Sequence, residues 1–132
     1  MTVVLAHLPG NSAEPAFAAA VRQAVFHQTD LVIVNVASGD APVDPHIAST
    51  DELNRLVTRA AESDVAASVE QPIDDDVAGA IVQCAERHRA EVVVIGVRRR
   101  SAVGKLLLGS VAQRVMLESE SPVLGIKPIR VA

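Results

Sequence analysis

The stretch Val92–Ser110, which reads VVVIGVRRRSAVGKLLLGS, decides the fold of this chain. Its four β-branched residues run into Gly96, a pattern that predicts a buried strand ending at a glycine. A basic loop follows, and Gly109-Ser110 then opens a helical pattern in which Ser110 and Gln113 match a capping box, so Ser110 is the expected N-cap. A strand, a basic loop and a helix start, in this order, predict an anion site, because first-turn N–H groups and the helix dipole favour negative charge.

Composition limits what this chain can do. Its 132 residues suit a single domain covering residues 1–132, and its 49% hydrophobic content is enough for a sizeable core. Phe17 and Phe26 are the only aromatic residues, so the stacking platforms of single-stranded nucleic-acid binders are missing. A formal net charge of −4 also disfavours DNA as a partner. We therefore expect no nucleic-acid partner.

Cysteine and histidine usage indicates an intracellular chain without a metal. Cys84 is alone, which excludes an intramolecular disulfide framework and suits a reducing compartment. The four histidines show no metal-ligand spacing, so no metal site is expected. The chain opens without a signal-peptide pattern and carries no apolar run of membrane-spanning length, so we expect a cytoplasmic protein with no membrane partner.

Apolar runs that lack polar alternation recur along the chain and predict strands buried on both faces. These runs cover Thr2–Leu8, Leu31–Val36, Val65–Glu70, Val92–Gly96 and Pro122–Ile126. Helical patterns lie between them, with predicted N-caps at Asn11 or Ser12 and at Ser49, where Glu52 completes a capping box. Strands that alternate with helices predict an α/β fold, with a parallel sheet and helices on both faces.

The basic loop and its flanks resemble the universal stress protein family. That family carries a glycine, two residues, a second glycine, nine residues and then Gly-Ser or Gly-Thr; Gly96, Gly109 and Ser110 match, whereas Arg99 holds the place of the second glycine. The resemblance covers the whole chain in element order and implies a Rossmann-like open sheet of five parallel strands in the order 3-2-1-4-5. In this order the direction in which strands are added reverses between the first and fourth strands. Ligands of open α/β folds bind at that point, outside the carboxyl ends of the strands.

The resemblance also implies a nucleotide site built on the two loops at that reversal, Leu8–Ser12 and Val97–Ser110. In the nucleotide-binding form, Gly96, Gly109 and Ser110 would contact phosphates, and the adenine would lie near Val36. Arg98 and Arg99 add positive charge to the same loop, which suits phosphate contacts, although a solvated basic loop explains these arginines equally well.

Two departures from the family pattern lower the expectation of ATP binding. Family members that bind ATP typically carry an aspartate after the first strand, and here Leu8 or Pro9 stands in its place, where neither side chain can hydrogen-bond a nucleoside. Arg99 replaces a glycine that would let the backbone approach the phosphates closely. We therefore expect weak or absent ATP binding, with a phosphate or sulfate anion still held at the start of the Ser110 helix.

Other functions stay open at this point. The chain could bind ATP fully, or act as a weak ATPase, if Arg99 serves as a phosphate ligand. No general base, Walker lysine or Mg²⁺-binding aspartate accompanies the loop, so a regulatory binding module is favoured over an enzyme. A flavodoxin-like electron-transfer domain suits the fold, but the chain lacks aromatic residues for flavin contacts.

The last predicted strand indicates how the chain would act without ATP. It is apolar and lies at the sheet edge in the implied order, and exposed apolar edges pair with other chains. Antiparallel pairing with its twin would bury Val123 with Ile126 or Leu124, depending on which side faces the partner. We expect a homodimer, through an interface that the resemblance implies as well, and contacts to an unidentified protein partner.

Overall fold

Five strands and four helices make up the part of the chain that the computed structural model describes, residues 1–38, 47–97 and 108–128. In chain order they are β1 Thr2–Ala6, α1 Ala13–His27, β2 Asp30–Val34, α2 Thr50–Glu62, β3 Ala67–Glu70, α3 Val77–Arg87, β4 Ala90–Gly96, α4 Ser110–Glu118 and β5 Val123–Ile126. The strand order is β3-β2-β1-β4-β5, and each neighbouring pair is parallel. This confirms the predicted α/β class and the strand order implied by the family resemblance. None of the described helices is long and apolar enough to cross a membrane.

β1 is the central strand, and its residues alternate between two apolar layers. Val4 pairs with Val32 of β2 and with Val93 of β4. Val3 and Leu5 contact the layer under α1 and α2, whereas the residues between and after them contact the layer under α3 and α4. All five β1 residues are buried, as expected for a strand covered by helices on both faces.

β1 and β2 each end two residues earlier than the sequence predicts. One further ladder bond follows, from the His7 N–H to the Val34 carbonyl at 2.9 Å. The Asn35 side chain then donates to the His7 carbonyl at 2.9 Å, so a side chain takes the place of the next strand bond.

The predicted helix starts are confirmed at α2 and at α1, where Ser12 is the N-cap although its side chain makes no capping bond, and the predicted start of α4 is wrong. Ser49 caps α2, because its hydroxyl accepts a hydrogen bond from the Glu52 N–H at 3.1 Å. Gly109 is the N-cap of α4, with extended dihedrals of φ −67° and ψ 152°, so the prediction of Ser110 as N-cap is wrong. Ser110 is already helical, and Ser12 at the N-cap of α1 is not extended, so neither hydroxyl reaches the first-turn N–H groups.

On each face of the sheet, an arginine connects the two helices that cover it. Arg59 of α2 lies with its guanidinium 4.7 Å from the centre of the Phe17 ring and pairs with Glu14 of α1. Arg114 of α4 places Nη1 2.6 Å from Oδ1 of Asp76, the N-cap of α3. Exposed pairs of this kind add little stability but define which helices lie side by side.

Candidate functional site

Ser12 connects the two loops that meet at the carboxyl ends of β1 and β4. Its hydroxyl donates a hydrogen bond to the Val97 carbonyl, 85 residues further along the chain. The serine is 6% exposed, so this bond lies inside the protein. The start of α1 is therefore held directly against the end of β4. No sequence signal distinguishes this role, because serine at that position equally suits a helix cap.

Gly96 lies at the end of β4 as predicted, but the structure gives it a packing role. A Cβ built on Gly96 would lie 2.6 Å from the Ser12 Cβ and 3.3 Å from the Ser12 carbonyl oxygen. Neither atom is the far end of a flexible side chain, so a larger residue would push the two loops apart. Ser12 is thus the residue that packs closely against the Gly96 backbone.

Of the other residues predicted for the nucleotide site, Gly109, Ser110 and Val36 lie within the described part of the chain. Gly109 and Ser110 form the start of α4, where Ser110 is exposed. Val36 is 2% exposed and packs in the layer under α3 and α4, so its side chain has no surface left for an adenine. Arg98 and Arg99 lie outside the described residues, as does the loop to residue 107.

The predicted dimer residues lie on β5, which is an edge strand paired with β4. Val123, Leu124 and Ile126 are half-buried. Leu124 and Ile126 contact the layer under α1 and α2, whereas Val123 contacts the layer under α3 and α4. Both faces of β5 are therefore partly covered by this chain, and the strand edge is what a second copy would meet.

His7 is a buried polar residue just after β1. Its side chain is 3% exposed, and neither ring nitrogen has a hydrogen-bond partner within the described residues. Glu52 Oε1 lies 3.7 Å from Nε2, too far for a hydrogen bond. Burial lowers the pKa of His7, and the carboxylates of Glu52 and Glu14 oppose this without cancelling it. The imidazole is therefore held neutral in the folded protein.

Asn35 links three strand ends beside His7. It is fully buried, and its Nδ2 donates to the His7 carbonyl at 2.9 Å. Its Oδ1 accepts from the Ala48 N–H at 2.8 Å and from Gln71 Nε2 at 2.9 Å. One amide thus joins the end of β1, the segment before α2 and the segment after β3. A lone polar residue within the apolar run LVIVNV is the sequence signal that could have revealed this role.

The burial of His7 leads to a prediction about pH. The unfolded chain takes up a proton on this imidazole near the ordinary histidine pKa of 6.5, whereas the folded protein takes it up only at lower pH. The unfolded state then binds more protons, so the free energy of unfolding should fall as pH falls below 6.5. Urea unfolding at several pH values from about 5.5 to about 8, where Glu14 and Glu70 are largely ionised in both the folded and the unfolded state, measures this effect. His7→Leu should flatten the profile, and the half-exposed His27→Leu should not; equal slopes in all three proteins would contradict the prediction.

An open parallel sheet with this strand order, covered by helices on both faces, defines a Rossmann-like α/β domain. The model of the universal stress protein family matches residues 1–127. A universal stress protein of Mycolicibacterium smegmatis is 40% identical over 123 residues, which cover 90% of this chain and 95% of that protein. One from Thermus aquaticus is 31% identical over 137 residues, covering 96% and 98% of the two chains. The chain belongs to the universal stress protein family.

Solved structures of this family share the fold. A universal stress protein from Archaeoglobus fulgidus superposes with a TM-score of 0.80 at 26% identity, covering 96% of this chain and 97% of that one. The A. fulgidus protein in complex with dAMP gives 0.68 at 21% identity, with 96% of both chains covered. A universal stress protein in complex with cAMP gives 0.73 at 21% identity, covering 100% and 98%. At 21% identity the likeness establishes the fold alone, and the bound nucleotides belong to those proteins.

Proposed function

We propose that this chain is a regulatory binding domain of the stress response that acts mainly through dimerisation and partner contacts, with ATP binding weak or lost. The observation that carries the proposal is the packing of Ser12 against Gly96 and its hydrogen bond to Val97. In the family pattern the first glycine would meet phosphates, and here the Ser12 side chain lies against that glycine. A cytoplasmic location goes with this function, since Cys84 is a free thiol.

The segment after β1 supports weak ATP binding as well. Leu8 and Pro9 have no side-chain hydrogen-bonding group, so a nucleoside there would lack a carboxylate partner. The imidazole of His7 is buried and does not replace that carboxylate. Val36 is packed in the core and leaves an adenine without a side-chain contact at the end of β2. The nucleoside end and the phosphate end therefore both depart from the ATP-binding pattern.

Anion binding at the start of α4 is the part of the site that we propose is retained. The first-turn N–H groups of α4 have no side-chain cap, because Gly109 occupies the N-cap position. Uncapped N–H groups at the positive end of a helix dipole attract phosphate and sulfate. Arg98 and Arg99 precede this helix in the sequence and would add charge-assisted hydrogen bonds.

A second function is favoured by the nucleotides found in two structural relatives. One of those proteins binds dAMP and the other cAMP. If this chain kept nucleotide binding, Arg99 would replace the backbone contact of the missing glycine with a forked guanidinium contact to phosphate. The protein would then be a nucleotide-binding universal stress protein, or a weak ATPase.

Calorimetric titration separates the two functions. ATP, dAMP and cAMP are titrated into the wild type, into Arg99→Gly and into the matched control Arg100→Gly, which alters the neighbouring arginine of the same loop. The proposal predicts little or no heat for the wild type with ATP, and no weakening in Arg99→Gly. Tight ATP binding that is lost in Arg99→Gly and kept in Arg100→Gly would establish the second function, and tight binding in all three proteins would also overturn the proposal.

Anion binding is tested separately by thermal unfolding in sulfate and in chloride at equal ionic strength. An anion that binds only the folded state stabilises it by an amount that grows with the logarithm of one plus its concentration divided by its dissociation constant. We expect a higher melting temperature in sulfate and a smaller difference in the double variant Arg98→Gln/Arg99→Gln. Equal melting temperatures in the two salts would contradict the retained anion site.

Dimerisation is the other part of the proposal. β5 pairs with β4 on one side, and the backbone of its opposite side is free among the described residues to meet a second copy. Antiparallel pairing there would bring Val123, Leu124 and Ile126 of two copies together. Sedimentation velocity of the wild type checks this, and a monomer at high concentration would contradict it.

A further inference from the structure

Three side chains that can bind metals meet between β3 and α3. Glu70 is the last residue of β3, and Cys84 and His88 lie four residues apart at the end of α3. Oε1 of Glu70 accepts a hydrogen bond from the Cys84 thiol at 3.7 Å, and its Oε2 is hydrogen-bonded to Nε2 of His88. One donor atom from each residue lies within 4.8 Å of the others.

We propose that Glu70, Cys84 and His88 bind a thiophilic divalent cation of the Zn²⁺ class. A thiolate, an imidazole and a carboxylate are the three kinds of ligand that zinc takes in proteins, and water fills the fourth position in open sites. Soft thiolate and imidazole ligands favour zinc over magnesium or calcium. The donor set therefore defines the class of metal.

The present geometry is close to what such a site requires. Zinc–ligand bonds of about 2.0–2.3 Å in a tetrahedron place neighbouring donor atoms roughly 3.5 Å apart. Residues four apart on a helix lie on the same face, so Cys84 and His88 can both point at one ion. Glu70 reaches that ion from the sheet. Small side-chain rotations about the three residues are sufficient to admit the cation.

Burial gives the cluster a closed side and an open side. The Cys84 side chain is fully buried, whereas Glu70 and His88 are 27% and 30% exposed. A cation can therefore enter from solvent past the carboxylate and imidazole and meet the sulfur at the inner end. Cys84 loses its thiol proton to solvent as the metal–sulfur bond forms. The proton by which His88 Nε2 bonds to Glu70 must move to Nδ1 or to solvent before Nε2 binds the metal, and the carboxylate binds with its free oxygen lone pairs.

One cation of the protein competes for the same carboxylate. Arg87 Nη2 lies 2.9 Å from Oε1 of Glu70, and the arginine side chain is 59% exposed. Because Arg87 is exposed, its guanidinium can turn into solvent when a metal binds. It can also stay bonded to one carboxylate oxygen of Glu70 while the other oxygen binds the metal. Arg87→Gln is therefore expected to strengthen metal binding, which a purely structural ion pair would not do.

Cobalt titration tests the site, because a cobalt–thiolate bond gives a charge-transfer absorption band. Cys84 is the single cysteine of the chain, so such a band reports on this residue alone. The chain also lacks Trp and Tyr, which leaves the near-ultraviolet background low. We expect one equivalent of Co²⁺ to produce the band in reduced, chelator-stripped wild type, and Zn²⁺ to displace it.

Three variants and one matched control locate the ligands. Cys84→Ser should abolish the band, and His88→Gln and Glu70→Gln should each weaken binding by at least about 100-fold, the upper end of what losing an outer-shell partner costs. His27→Gln is the control, since His27 Nδ1 lies 4.0 Å from Glu91 Oε2 with similar exposures but without a thiol. It should bind like the wild type.

The outcomes are decisive even if one variant fails to fold. His88 and Glu70 are half-exposed, so their glutamine variants test the site if Cys84→Ser unfolds. Absence of the band in the wild type would overturn the proposal. A band whose affinity is the same in wild type, His88→Gln and Glu70→Gln would also overturn it, because it would mean binding by the thiol alone.

Discussion

Replacing Asn35 with leucine is expected to lower the free energy of unfolding by about 3–5 kcal/mol, because it leaves two buried partners, the His7 carbonyl and the Ala48 N–H, unsatisfied at about 1–3 kcal/mol each. The His7 carbonyl, the Ala48 N–H and the Gln71 amide all bond to this one side chain. Leucine is similar in size and makes none of these bonds. Urea unfolding followed by circular dichroism measures the loss.

Asn54→Leu is the matched control for this substitution. Asn54 lies on the exposed face of α2, so the same change there should stay within about 0.5 kcal/mol of the wild type. A loss below about 1 kcal/mol in Asn35→Leu would mean that water replaces the amide in all three bonds. That result would contradict the view that Asn35 holds the strand ends together.

Substituting Gly96 with alanine is expected to cost about 1–3 kcal/mol, the range of overpacking in a tight core. The added methyl group would lie 2.6 Å from the Ser12 Cβ, and the Ser12 carbonyl oxygen at 3.3 Å blocks a simple shift. Moving the start of α1 would also lengthen the hydrogen bond from Ser12 to Val97. The midpoint of urea unfolding should fall with little change in slope.

Gly125→Ala provides the control, because the clash there is with a flexible group. A Cβ on Gly125 would lie 2.7 Å from the terminal methyl of Met116, which can rotate away, and 3.3 Å from Val97 Cγ1. Its cost should be clearly smaller. Ser12→Gly should recover part of the loss in the Gly96→Ala background, since it removes the clashing Cβ. An equal cost at the two glycines, or no recovery, would contradict the packing role of Gly96.

Local patterns predicted the elements of the fold well. The apolar runs and the capping box at Ser49 placed every described strand and the start of α2 near their observed bounds. The family resemblance supplied the strand order, which periodicity cannot give. Strand ends shifted by two residues at β1 and β2, because a side-chain bond from Asn35 interrupts the ladder there.

The functional details depended on contacts that sequence spacing does not encode. The capping-box pattern predicts Ser110 as the N-cap of α4, but the helix begins one residue earlier, so Gly109 is the N-cap. Histidine and cysteine spacing along the chain predicts no metal site, and this stays a prediction beside our proposal for Glu70, Cys84 and His88. The spacing of Cys84 and His88 on one helix was a usable signal, but Glu70 joins them only through the fold.

The central place of β1 has a consequence for synthesis on the ribosome. β1 is completed first, yet one of its two neighbours, β4, begins at Ala90. At about 5–20 residues per second, on the order of ten seconds pass before β4 has been made. During that time the TVVLA segment, destined for the middle of the protein, can pair only with β2. A chaperone that shields its open edge would therefore raise the yield of folded chains more than it would for a fold whose first strand lies at the border of the sheet.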